Sequence, residues 1–80
     1  MKIFVKDSKD ETLNFDDLTD YTKVKDLKKQ IIRKGEILTN NINLMYNGYL
    51  LEDEEELCFY GIQNMTTIVY VGEFHAGRYK

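Results

Sequence analysis

The chain opens on strict alternation. In residues 2–6, Ile3 and Val5 face one way and Lys2, Phe4 and Lys6 the other, the period-two pattern of a half-buried strand. A polar stretch, residues 7–11, leads to a second alternating run with Leu13 and Phe15 inward, and the two runs predict a β-hairpin. The link holds neither Asn-Gly nor Gly-Gly, which favours a loop of several residues over a tight two-residue turn. The period then lengthens. Val24, Leu27 and Ile31 stand at i, i+3 and i+7, one face of an α-helix. Thr22 is the expected N-cap and Gly35 the expected stop, in the left-handed conformation. Residues 42–53 hold two short runs around Asn47-Gly48, the strongest hairpin signal in the chain. Leu57, Tyr60 and Ile62 read as inward residues around a 3₁₀ turn. The last run places Ile68 and Tyr70 on one face and Val69 and Val71 on the other.

One amphipathic helix and several strands, with no repeat and no internal linker, predict a two-layer α+β domain with the helix covering one face of a mixed sheet. The expected core is Ile3, Val5, Leu13, Phe15, Leu18, Val24, Leu27, Ile31, Leu44, Leu51, Leu57, Tyr60, Ile62, Ile68 and Tyr70.

Composition narrows the function classes. At 80 residues, 42% hydrophobic and 31% charged, the chain has the balance of one small globular domain. No apolar run approaches the roughly 20 residues that span a bilayer. Lys6 and Asp7 interrupt the N-terminal apolar run, so no signal peptide is expected and the location expected is intracellular, cytoplasmic and/or nuclear. The lone Cys58 excludes an internal disulfide, and one Cys with one His makes a structural zinc site unexpected.

No catalytic constellation is visible. Cys58 and His75 would pair as nucleophile and base only if the C-terminal segment folded back, and Cys58 is expected to be packed rather than reactive. The run of five acids at 52–56 lacks the convergence of an acid/base pair, and no glycine-rich phosphate loop occurs. The expectation is a non-enzyme without cofactor. Net charge is −3 and unevenly spread: residues 23–34 carry six Lys/Arg against one Asp, facing the acidic run in sign. Two solvated surfaces are the plainer reading; a two-signed surface that orients partners is the sharper one. An acidic chain does not favour strong nucleic-acid binding.

The segments MKIFVK, KVKDLKKQI, LMYNGYLLED and ELCFYGIQNMTTIVYV together resemble ubiquitin, over essentially residues 1–75, with one extra residue near Asp16–Leu18. The resemblance implies a ubiquitin-like β-grasp, with first and last strands parallel and central, a domain at 1–75 and a flexible tail at 76–80. It also implies a protein-binding patch on the sheet face away from the helix. Its positions here are Ser8, Met45, Val69 and Val71, with Tyr49 beside them as an aromatic contact. Three apolar members keep the patch adaptable, Met45 through its thioether. Glu11, Tyr49 and Asn64 occupy positions where ubiquitin carries chain-building lysines, so ordinary chain formation is not expected. Lys28 is expected to pair with Asp53.

The tail separates three readings. The first is a non-catalytic, monomeric interaction module that binds ubiquitin receptors, proteasome subunits or a tethering complex through the patch, without membrane contact. The second is a covalent modifier. Ubiquitin's final Gly-Gly falls on Ala76-Gly77, so Arg78, Tyr79 and Lys80 would have to be removed first, and Ala76 brings a Cβ where a thin tail is needed. Glu73 and Phe74 further alter what an activating enzyme would read. The third is an RNA-binding domain, because Gly77, Arg78 and Lys80 resemble the ending of the ubiquitin-like domain in the largest subunit of splicing factor 3a, and Phe59-Tyr60 its paired tyrosines. Arg78 and Lys80 would neutralise phosphates and Tyr79 would stack on a base.

Overall fold

The computed structural model describes residues 1–75. Its elements run β1 (Ile3–Lys6), β2 (Thr12–Phe15), α1 (Val24–Lys34), β3 (Leu44–Tyr46), β4 (Tyr49–Leu50), a 3₁₀ turn (Leu57–Tyr60) and β5 (Thr66–Tyr70). The five strands form one mixed sheet in the order β2-β1-β5-β3-β4. β1 pairs antiparallel with β2, Ile3 opposite Phe15, and parallel with β5, Val5 opposite Ile68. The arrangement is the expected α+β β-grasp.

Alternation decides which side of the sheet is dry. Ile3, Val5, Leu44, Ile68 and Tyr70 are buried on one face, against Val24, Leu27 and Ile31 of α1. Leu13 and Tyr60, expected in the core, pack against it only partly buried. Ile37, Ile42 and Phe74 are buried as well, and none belongs to an α-helix or strand. A periodicity argument has nothing to hold there; tertiary packing alone selects these side chains.

Both expected ends of α1 are corrected. The N-cap is Lys23, without a side-chain cap bond, and the Thr22 hydroxyl instead accepts from the Thr19 N–H. The first free helical donors are met by the acidic run. The Val24 N–H donates to the Glu55 carbonyl at 2.9 Å and the Lys25 N–H to the Asp53 carbonyl at 3.1 Å. The acids themselves lie beside the positive end of the helix, where carboxylates are favourable. Lys28 pairs with Asp53 at 2.6 Å, and Lys23 and Lys25 reach Glu54. The basic helix and the acidic run therefore meet over part of their length and are not two separate surfaces.

At the other end, Gly35 is right-handed, with φ −86°, and Glu36 takes the positive φ. Gly35 is needed for room. A Cβ there would stand 2.8 Å from Cδ1 of Phe74 and 3.0 Å from the Ile31 carbonyl oxygen. Asn47 and Gly48 both adopt positive φ, the type I′ geometry that closes the β3–β4 hairpin.

Candidate functional site

The sheet face opposite α1 is built by register. Met45 on β3 lies directly opposite Val69 on β5 and, on its other side, opposite Leu50 on β4. Lys6 on β1 is level with Val69. The row across the sheet is thus Lys6, Val69, Met45, Leu50. Val69 and Leu50 are well exposed and Met45 is half-buried. Val71, just past β5, is exposed too, and its N–H donates to the Asn43 carbonyl at 3.0 Å. Tyr49 is exposed one step along, opposite Tyr46.

Leu50 was not among the expected patch residues. The signal was present: a two-residue Asn-Gly turn fixes Tyr46 against Tyr49 and therefore Met45 against Leu50. Only Leu51 carries the buried role, which its exposed neighbour Leu50 cannot share on an alternating strand.

Ser8 sits at the margin of this face in a fixed loop. Its backbone N–H and its hydroxyl both donate to the Gly72 carbonyl, at 2.8 and 2.7 Å. The β1–β2 loop is organised around Asp7, the one buried charged side chain among the described residues. Asp7 Oδ1 accepts from the Lys9 and Glu11 N–H groups, and Oδ2 from the Phe74 N–H at 2.8 Å. Phe74 is 1% exposed, stacked on Tyr70 with ring centroids 5.4 Å apart. The His75 N–H donates to the Gly35 carbonyl at 2.7 Å. The segment after β5 thus folds back over the end of α1. Burial, with the Asp7 charge added, pushes the Tyr70 phenol above its ordinary pKa.

The Cys58–His75 pair does not assemble. Cys58 hydrogen-bonds through its N–H to Asp20, near the start of α1, whereas His75 is anchored at Gly35 beyond its end. Eleven helical residues separate the two, roughly 16 Å of rise. Cys58 is exposed and not packed, which corrects the expectation. Its thiol is pushed above the ordinary range by local desolvation and by the carboxylates of Glu56 and Asp20, so its nucleophilic form is disfavoured. Among the described residues no group of three or more His, Cys, Asp or Glu side chains could hold a metal, and no helix is long and apolar enough to cross a membrane. The expected conjugation residues Ala76 and Gly77, and the expected RNA contacts Arg78, Tyr79 and Lys80, lie outside the described residues.

No curated protein matches the chain. The family model of the Ubiquitin family matches residues 3–74, most of the chain and all of the sheet and helix just described, and the chain belongs to that family.

Proposed function

We propose that this is a non-catalytic ubiquitin-like docking module whose partners bind the helix-free face of the sheet. The observation that carries the proposal is the continuous apolar row Val69–Met45–Leu50 across three strands, with Val71 beside it and Lys6 at its end. Scattered surface hydrophobes need no explanation, but cross-strand register makes these neighbours. The partners fit the chemistry of ubiquitin receptors, including proteasome subunits or a tethering complex: a compact apolar contact with a polar rim. A patch this small supports modest affinity.

Met45→Asp places a charge in the middle of the row without touching the core. Binding to a ubiquitin-receptor domain, followed by calorimetry, should weaken at least tenfold, about 1.4 kcal/mol, while the thermal transition holds. Unchanged binding by a folded Met45→Asp protein would refute the docking face.

The covalent-modifier reading draws less support. Conjugation through Gly77 needs a slender free tail, and here Phe74 is buried and His75 is bonded to Gly35, so only Ala76 separates the anchored chain from Gly77.

A further inference from the structure

A second exposed surface lies away from the sheet face, where the chain enters α1. Lys23 and Glu56 form an antiparallel bridge, the Leu57 N–H donates to the Thr22 carbonyl, and the Cys58 N–H to that of Asp20. Tyr21 and Phe59 each stand one residue from this Asp20–Cys58 bond, on the two segments it joins. Both rings are left in water: Tyr21 is 73% exposed and Phe59 64%.

Phe59 is held from behind. The Phe59 ring meets Tyr60 edge-on, with centroids 5.0 Å apart and planes at 88°. Tyr60 in turn packs against the core, and its hydroxyl accepts from the Glu52 N–H at 2.8 Å. Ordering the Phe59 ring on binding therefore costs little entropy.

The surroundings are negative. Glu56 Oε1 lies 3.7 Å from the Cys58 sulfur, and the Glu56 and Asp20 carboxylates both act on that thiol. Among the described residues Asp20, Glu52, Glu55 and Glu56 form no ion pair. Lys23, the adjacent cation, is engaged with Glu54. Exposed aromatic rings next to the unpaired Asp20 and Glu56 carboxylates suit a planar cation that stacks and pairs at once, which is the chemistry of arginine. Phosphate is repelled there.

We propose that the Tyr21–Phe59 surface, edged by Asp20 and Glu56, binds an arginine-bearing segment of a protein partner. It stands apart from the sheet-face reading and does not depend on it.

The test titrates the isotope-labelled full chain with an amidated octapeptide of alternating arginine and glycine, followed by NMR. Amide shifts should centre on Asp20, Tyr21, Glu56, Cys58 and Phe59. The Tyr21→Ser/Phe59→Ser double variant, at two solvent-exposed positions, should keep a dispersed spectrum and bind at least about fivefold more weakly. The lysine counterpart of the peptide should also bind more weakly, and Met45→Asp should bind the arginine peptide as the unmodified chain does. Several results overturn the proposal: shifts centred on Met45 and Val69 or on Glu52–Glu54 alone, equal affinity for the double variant, or equal affinity for the lysine peptide. Concentration-dependent shifts at these residues without peptide would assign the surface to a second copy of the chain, and shifts there with an RNA stem-loop would assign it to nucleic acid. Either result also overturns the proposal.

Discussion

Asp7 and Phe74 are joined across most of the chain: the Phe74 N–H donates to Asp7 Oδ2 at 2.8 Å, in a bond that is itself buried. The same carboxylate collects two N–H groups from its own loop, so a single side chain ties the β1–β2 turn to the segment after β5. Ser8 reinforces the tie through the Gly72 carbonyl. Val71, at the margin of the proposed docking face, lies just before Gly72.

Truncating Phe74 to Ala removes a buried aromatic ring and should cost about 3 kcal/mol, read from urea denaturation. Asp7→Ala strands the Phe74 donor and should cost about 2 kcal/mol. The two losses should not add. Once Phe74 leaves its slot, its N–H reaches water and no longer needs Asp7. A double variant as unstable as the sum of the singles would mean that the two residues act independently.

Gly35 offers a sharper test, because its sign depends on its neighbour. Its φ of −86° suits alanine, which has the better helix propensity by about 1 kcal/mol. The obstacle is the Phe74 ring, 2.8 Å from the added Cβ. Gly35→Ala should therefore destabilise the chain by about 1–2 kcal/mol. In a Phe74→Ala background the same change should be neutral or stabilising, limited by the tight approach to the Ile31 carbonyl. Chemical denaturation of the four proteins checks this, and an equal penalty in both backgrounds would remove the steric account.

These residues also mark where the sequence was legible. Alternation in β1 and β5 and the i, i+3, i+7 spacing of α1 were enough to place Val5, Ile68 and Ile31 in the core. Met45 and Val69 followed from the same patterns once the family register was assumed. Ile37, Ile42 and Phe74 sit in irregular chain, where no period distinguishes a buried residue from an exposed one. Gly35 looked like a left-handed stop because glycine's commonest use after a helix is conformational; its use here is steric, and the partner lies 39 positions along the chain. The cap was missed for a related reason: backbone carbonyls from the acidic run leave no trace in side-chain identity. No period in the sequence links Tyr21 to Phe59; the segments that carry them are brought together by the Cys58–Asp20 backbone bond.

Tyr70 gives the anchored segment a pH dependence. Its phenol is raised above the ordinary value of 10.0 by burial first and the Asp7 charge second. The native state therefore holds the phenolic proton more tightly than the unfolded chain does. The resulting stability is fully present below about pH 10 and is lost as pH rises through the raised value, where the folded protein would have to bury a tyrosinate beside a carboxylate. Tyr70→Phe keeps the stacked ring over Phe74 and removes the ionisation. Melting temperatures followed from pH 7 to strongly alkaline solution should coincide for the two proteins near neutrality and diverge above about pH 10, with Tyr70→Phe the more stable. The two proteins differ only in this hydroxyl, so the difference between the curves isolates Tyr70. Curves that stay parallel throughout would show that Tyr70 ionises no less easily in the folded protein than in the unfolded one.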